Sequence, residues 1–475
     1  MNGDKDPAHL AEATVEPEQA GAVGLREDEY YARLMGWRFR VRQMLMRNLE
    51  REMPVLQRIQ KAWRTPFRDE YFVKTSLLGT HTFFMVFLPL WYWFSVREIG
   101  HGLLYVLAAG NYATSALKDA LSVPRPLSPP VVRLSVGTHA LEYGFPSTHS
   151  SNAVSMAFFF SESLLTRNTG AWAWLNPVGI LAAAFFAWSV AFGRLYTGMH
   201  SMADVFTGSS IGIILWAVHF RYADALNTLG SGSGWVGSIT ATLGLLLILS
   251  THPEPAEPCP CFEDTVAFLS VVLGVMLGSA WAPDRLPTTT YGYQSRTVQE
   301  FGLWVGATLI KLVGGISAIL VWRIIAKQVC HAILPPIFRF FAPLIQLPRR
   351  GYEPATHYDK YPPEAKLDPV PSILDLPSLV DDSAVSPSSV SSASLLPSSS
   401  NSLRSRAATA AAPPAQVPLS KPDVKTVAHL ERAADLPEHK DADVLTKVVV
   451  YAGIGWIATI GLPWLFERVG LSVWR

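Results

Sequence analysis

Charge is the scarcest property of this chain. Asp, Glu, Lys and Arg make up 16% of its 475 residues. A soluble globular chain carries about 25%, so a wholly soluble protein is disfavoured from the start. Neither sign prevails: 39 Lys and Arg stand against 38 Asp and Glu, a formal net charge of +1. That balance argues against a nucleic-acid partner, because neutralising a phosphate backbone takes a basic face. Cysteine is nearly absent, and the three present (Cys259, Cys261 and Cys330) exclude a disulfide-built scaffold. One residue separates Cys259 from Cys261, an awkward spacing for a mutual disulfide. A lone Cys-Pro-Cys also falls short of the four ligands of a structural zinc site, so a structural or incidental role is expected. The first 30 residues are acidic and rich in Ala and Gly, with no basic segment leading into an apolar one. No cleaved signal peptide is expected there, and the stretch reads as disordered. Asn-x-Ser/Thr sequons are missing throughout, and no internal repeat is seen.

What the chain has instead is apolar length. Hydrophobic residues make up 49% and aromatics 11%. Apolar runs lie near 76–96, 99–117, 150–166, 174–192, 203–220, 234–250, 265–282, 301–322, 326–347 and 446–467. Each approaches the ~20 residues that a bilayer-spanning helix requires. The count is eight to ten spans, because 326–347 contains Pro335, Pro336 and Arg339 and reads as interfacial or broken, and 99–117 is short and carries His101 and Asn111. The fold class is therefore an all-α polytopic membrane protein. Ahead of the runs, eleven Lys and Arg between Arg33 and Lys74 alternate with Leu, Met, Trp and Phe. This segment, 31–74, reads either as an amphipathic helix on the membrane surface or as a solvated helical arm. Residues 351–445 are dominated by Pro, Ser, Asp and Ala. They cannot bury enough surface to repay their ordering entropy and are expected to be a disordered insertion open to phosphorylation.

In so apolar a chain the informative residues are the ionisable ones at span ends. Three clusters stand there. The first runs from Lys118 to Arg125–Pro126, with Pro124 and Pro126 fixing the backbone around Arg125. Its two cations suit an anionic head group, Arg as a planar fork and Lys as a point charge, although positive residues flanking a span can also serve topology alone. The second is Gly144–Phe145–Pro146–Ser147–Thr148–His149, leading into a span. Pro followed by Ser and Thr marks a helix start, whose unpaired N–H groups and dipole make an anion site. His149 in the first turn can protonate a leaving oxygen, while the plainer reading is a cap with an interfacial His. The third is Arg194, His200 and Asp204. If the helix has begun by His200, Asp204 lies at i+4 on the same face. It can then fix one imidazole nitrogen and leave the other as a nucleophile; a plain ion pair within the bundle is the alternative.

The spacings are Lys-x6-Arg-Pro, Pro-Ser-Thr-His and Arg-x5-His-x3-Asp, in that order, with all three motifs on one membrane side by span parity. This pattern resembles the three-part signature of the type 2 phosphatidic acid phosphatase superfamily, with Thr148 where the family has Gly and Gly193 where it has Ser. The Pro-Ser-Thr-His form, Gly198–Met199–His200–Ser201 and the stretch Pro258–Cys259–Pro260–Cys261–Phe262–Glu263–Asp264 resemble its sphingosine-1-phosphate phosphatase branch. The resemblance covers about 76–220. It implies a six-helix phosphatase core with extra C-terminal spans, here 75–222 and 223–350, with 446–475 a C-terminal transmembrane helix beyond the insertion. Lys118, Arg125 and Arg194, with Ser147, Thr148 and nearby backbone N–H groups, are then expected to hold phosphate. His200 would attack phosphorus, oriented by Asp204, and His149 would protonate the leaving alcohol and then activate water. No acidic cluster with metal-ligand spacing accompanies these residues, so hydrolysis without a metal or other cofactor is expected.

Motifs at span ends point to a membrane lipid substrate whose chain stays in the bilayer. The resemblance narrows it to a sphingoid (long-chain) base 1-phosphate, with phosphatidate and lysophosphatidate as the alternatives. A vanadium haloperoxidase and a non-catalytic lipid transporter are rival readings from other classes. On sidedness two arguments oppose each other. The basic arm favours a cytosolic catalytic face. The resemblance implies an endoplasmic reticulum membrane with a lumenal site, and Arg167, Arg221 and Arg349–Arg350 on the opposite side favour this second reading.

Overall fold

The computed structural model describes residues 34, 36–95, 97–134, 142–166, 174–230, 234–256, 259–281, 298–341, 354–356 and 441–471. The expectations for 1–33, and those for most of 351–440, lie outside the described residues, as do Arg167, Arg349 and Arg350. Among the described residues the secondary structure is helical, with no strand. Two helices precede the apolar runs, α1 (Trp37–Trp63) and α2 (Pro66–Ser76). A 3₁₀ turn over Leu77–Gly79 leads into α3 (His81–Phe94), followed by α4 (Arg97–Leu121), α5 (Thr148–Thr166), α6 (Asn176–Tyr196) and α7 (Met202–Gly230). The C-terminal half contributes α8 (Gly234–Ser250), α9 (Cys261–Trp281), α10 (Val298–Phe341), α11 (Asp441–Trp456) and α12 (Leu462–Arg468).

The ten apolar runs all become helix, with one merger. Run 301–322 and the described part of 326–347, as far as Phe341, form the single helix α10, which passes through Pro335 and Pro336 without ending there. Broken or interfacial structure was expected there. In lipid a broken helix has no water to satisfy its freed backbone groups, so losing two proline N–H bonds costs less than ending the helix. Where α11 meets α12 the chain takes a different route past a proline. Ile457–Gly461 widen into a π-helical segment just before Pro463, which makes room for the ring. The carbonyl of Ala458 in that segment accepts from Trp93 Nε1 at 2.9 Å.

Among the described residues, five helices are long and apolar enough to cross a bilayer, or six if the bent pair Pro66–Gly79 and Phe83–Phe94 is one span. Eight to ten were expected. The shortfall has physical causes. Helices α4 and α5 carry buried Asn111, Thr114, Ser115, Lys118, Ser150, Ser151 and Asn152, and α8 has 17 residues. The polar helices α4 and α5 sit inside the bundle with the apolar α9, and α6, α8 and α10 present apolar faces outward. Val178, Leu181, Phe185 and Trp188 of α6, and Trp235, Val236, Ile239 and Leu243 of α8, are all exposed. Apolar outside and polar within is the pattern of a bundle solvated by lipid.

Helix α4 is the centre, packing on α3, α5, α7 and α9. Phe84, Leu103, Leu104, Leu107, Met156, Phe159 and Phe268 form its core. A second core joins Trp93, Ile319, Val450, Ile454 and Leu462 across α3, α10, α11 and α12.

Two local expectations change. Helix α1 forms, and it buries Arg42, Leu49, Met53, Leu56 and Gln60, so much of its inner face meets protein rather than lipid or water. Cys259 and Cys261, whose spacing argued against it, are joined as a disulfide with a Cα–Cα distance of 5.4 Å, packed on Tyr143.

Candidate active site

Each motif is brought to one end of the bundle by a helix terminus. Helix α4 ends just past Lys118, and Ser122 follows in the left-handed region (φ 50°), its N–H donating to Lys118 O at 2.7 Å. The chain then runs on through Pro124–Arg125–Pro126, and its return strand of backbone lies against it. Gly144 N donates to Val123 O at 2.8 Å, and Arg125 Nε donates to Glu142 O at 3.0 Å. A Cβ on Gly144 would stand 2.7 Å from Pro124 O and 3.0 Å from Arg125 Cα, so this approach requires glycine.

Helix α5 begins at the second motif. Ser147 Oγ accepts from Ser150 N at 3.3 Å and from Ser150 Oγ at 2.9 Å, an N-cap arrangement. Ser147 N donates to Asp204 O at 3.0 Å, which ties this helix start to the third motif. Thr148 Oγ1 donates to Thr114 Oγ1 at 3.0 Å. Thr148 thus spends its hydroxyl hydrogen on Thr114, whereas Ser147 Oγ accepts twice and keeps its own hydrogen, beside the helix N-terminus. His149 stands in the first turn, with the 3₁₀ turn over it: a Cβ on Gly79 would overlap the His149 ring.

The third motif is a turn between α6 and α7. Gly198 takes φ 67°, and Met199 N and His200 N both donate to Arg194 O, at 3.1 and 3.3 Å. Helix α7 then starts on a reciprocal cap, Ser201 N to Asp204 Oδ2 at 2.8 Å and Asp204 N to Ser201 Oγ at 3.2 Å. His200 is 1% exposed. Its Nδ1 lies 2.8 Å from Gly144 O and 3.5 Å from Asp204 Oδ2. A carbonyl only accepts, so Nδ1 carries the proton and Nε2 keeps a lone pair.

The predicted residues therefore converge. Arg125, Arg194, Lys118 and Glu142 act electrostatically on His200, and the same four groups act on His149. Burial, and then the charges of Arg125, Arg194 and Lys118, hold the His200 imidazole well below its ordinary 6.5. It stays neutral at pH 7. Lys118, Arg125 and Arg194 are 2, 5 and 5% exposed. Arg125 Nη1 and Arg194 Nε are buried with no hydrogen-bond partner. Buried charged donors rarely go unmatched, and two of them at one place, beside a helix N-terminus, fit the oxygens of a phosphate group.

Several contributors were not legible in the motifs. Glu142 pairs with both Lys118 Nζ and Arg125 Nη2. Burial pushes its carboxyl up, but Lys118 and Arg125 pull it further the other way, to well below the ordinary 4.5. Helix α1 clamps the whole face. Arg38 donates to Asp119 O and Ala120 O at 3.1 and 2.7 Å, and Arg42 to Ser122 O at 3.3 Å. Gln60 donates to Val132 O and Tyr196 O at 2.6 and 3.0 Å and accepts from Val132 N at 2.9 Å. Glu52 Oε2 accepts from Met202 N at 2.6 Å and Ala203 N at 3.3 Å, capping α7 from outside. The signal available in the sequence was the density of long polar side chains on one face of the arm. Among the described residues the one set of metal-type donors is Asp119, Cys259 and Cys261, and there the two sulfurs are bonded to each other.

Comparison with known proteins places this geometry. Residues 99–227 match the PAP2 superfamily model. The chain is 34% identical over 329 residues to a dihydrosphingosine 1-phosphate phosphatase of Schizosaccharomyces pombe, covering 68% of this chain and 78% of the relative. It is 34% identical over 319 residues to a dihydrosphingosine 1-phosphate phosphatase of Saccharomyces cerevisiae, covering 66% and 76%. Sphingosine-1-phosphate phosphatase 2 of Homo sapiens is 30% identical over 204 residues, 43% of this chain and 50% of that one. No solved structure matches.

Proposed function

This chain belongs to the PAP2 superfamily, in its sphingosine-1-phosphate phosphatase branch, and from that premise we propose that it hydrolyses long-chain base 1-phosphates to the free base and phosphate. It is a membrane-embedded lipid phosphatase. The observation that supports this reading most is the convergence of Lys118, Arg125 and Arg194 around two imidazoles, with Arg125 Nη1 and Arg194 Nε buried and unmatched.

The reaction proceeds in two displacements. The phosphate oxygens take the donors of Lys118, Arg125 and Arg194 and the N–H groups that open α5, which spread the charge of the transition state. His200 Nε2 attacks phosphorus, a P–N bond forms, and the P–O bond to the lipid breaks. His149 gives its proton to the departing oxygen; a phosphate dianion beside it favours the protonated imidazole. The proton on His200 Nδ1 stays with Gly144 O and Asp204, which stabilise the imidazolium formed as the P–N bond closes. Water, deprotonated by His149, then attacks phosphorus and the P–N bond breaks. The His200 nitrogen pair returns and inorganic phosphate leaves. Fixed cations supply the charge stabilisation, so turnover proceeds without an added metal.

The domain reading keeps 75–222 as the catalytic core, with α1 as its clamp and the later helices as added spans. The site lies in the endoplasmic reticulum membrane and faces the lumen. Because α1 bonds to both catalytic turns, arm and site share one face and one compartment. Several basic residues of the arm are bound to the protein, which weakens their pull on topology. A glycosylation sequon engineered into 135–141 reads the compartment: modification is expected, and its absence in glycosylation-competent membranes counts against a lumenal site.

Purified protein in detergent with EDTA is expected to release phosphate from dihydrosphingosine 1-phosphate faster than from phosphatidate or lysophosphatidate. Phosphatidate as the preferred substrate overturns the substrate assignment. His200→Ala should lower turnover by about 10³-fold or more while the protein stays folded. Lipid movement that persists in that variant would favour the transporter reading.

A further inference from the structure

A carboxylate is out of place in a phosphate site. Glu142 stands between two of the three cations that would hold the phosphate, paired to Lys118 Nζ and, at 2.5 Å, to Arg125 Nη2. Its charge also acts on His149 and His200. Facing a phosphate dianion alone, such a group repels the substrate and competes for its cations. Its placement is nonetheless deliberate in structural terms. The main-chain carbonyl of the same residue is bonded by Arg125 Nε at 3.0 Å, and Gly144, two residues on, is locked against Val123 and receives the His200 Nδ1 proton. Glu142 is therefore held at the site by its backbone whatever its side chain does. That side chain is 24% exposed, whereas those of Lys118 and Arg125 beside it are 2% and 4%. The Glu142 side chain thus lies nearer the surface than the two cations, at the rim of the group.

The donors left unmatched, Arg125 Nη1 and Arg194 Nε, are ones that Glu142 does not bond. A phosphate can occupy them without removing Glu142. A substrate that carries a positive charge close to its phosphate would then meet the carboxylate at the rim. We propose that Glu142 is a specificity-determining residue that receives the ammonium group of the substrate, two carbons from the phosphate ester oxygen in a long-chain base 1-phosphate. A lipid phosphate with a glycerol backbone brings only neutral oxygens to that position and leaves the carboxylate facing its own charge. The assignment rests on the substrate reading above and gives it a residue: the same side chain attracts the zwitterionic substrate and repels purely anionic ones.

The test compares two phosphomonoesters of equal chain length, dihydrosphingosine 1-phosphate and an alkyl phosphate without the amine, on the full-length protein in detergent. The wild type is expected to prefer the amine-bearing substrate in kcat/KM. Glu142→Gln should lower that preference by at least about tenfold, the scale of a charge-assisted contact, and Glu142→Asp should retain part of it. An unchanged ratio overturns the assignment, whether both rates fall together, as for a merely positioning residue, or rise together, as for an anion plug. A measurement on the unmodified protein stands beside it should the variants not fold. The phosphonate analogue bearing the amine is expected to inhibit at least about tenfold more strongly than the one lacking it, and equal inhibition likewise overturns the proposal. If the wild type hydrolyses no long-chain base phosphate, the substrate reading fails first. If it hydrolyses them without distinguishing the amine, only the role of Glu142 fails.

Discussion

The two halves of this molecule are held together by different means. From α1 to α7, polar side chains reach main-chain groups far along the sequence: Arg38 to Asp119 and Ala120, Gln60 to Val132 and Tyr196, Glu52 to Met202 and Ala203. From α9 to α12 fewer such bonds cross, and helices approach backbone to backbone, as α5 and α7 also do at Gly208 and Gly212. A Cβ on Gly274 would collide with Ala452 O, and one on Gly455 with Val271 O. Helices in lipid gain little from burying apolar surface, because the lipid is equally apolar, so they hold by close approach and dispersion. The face where the three motifs meet is built from turns and irregular segments, whose main-chain groups need partners that a helix would have supplied itself. Polar bonds to main-chain groups therefore weigh more in the first half, and close approach at small residues weighs more in the second.

That contrast makes rate and stability separable. Arg194→Ala strikes the first half where it matters most. Its Nε has no protein partner to lose, so kcat/KM should fall by about 10²–10³ while the unfolding temperature in detergent hardly moves. A large loss of stability would show that Arg194 holds the fold. Gly274→Leu strikes the second half. Overpacking costs about 1–3 kcal/mol or more where the obstacle is backbone, so the unfolding temperature should drop. The kcat of the folded fraction should stay within about twofold, because Gly274 packs on Ala452 of α11, away from the three motifs. A kcat lost in proportion to nothing but the site would erase the distinction. Glu52→Ala is the mildest: α7 loses a cap donated from α1, worth about 1 kcal/mol, and kcat should fall several-fold through a loosened His200 turn, with stability little affected. A steady-state comparison with thermal unfolding on the same preparations checks all three.

How much was legible beforehand follows the same division. Nearly all the helices could be read, since a run of apolar residues in lipid has little alternative to helix. The merger at α10 could not, because proline reads as a breaker and the lipid's refusal of open backbone is invisible in a local pattern. The motif residues could be read because side-chain type and spacing are visible in a sequence. Lys118, Arg125, His149, Arg194, His200 and Asp204 all stand at the one face. The partner of His200 Nδ1 could not, since Gly144 contributes a carbonyl, a group every residue possesses. The i+4 spacing pointed to Asp204, which does lie near, at 3.5 Å, but its closer bonds are to the cap at Ser201. Glu142 was missed because a single acidic residue in a loop announces nothing until its neighbours are known.

From the order of residues alone come a lipid-embedded helical chain and the chemical groups of a phosphate-handling centre, because apolar length and side-chain type are local properties. Tertiary structure decided which groups meet: that α1 grips the catalytic turns, that a backbone carbonyl orients the His200 ring, and that a carboxylate stands at the rim of an anion site. Those are relations between segments 17 to 150 residues apart, and a hydrogen bond depends on position in space, which no local pattern encodes.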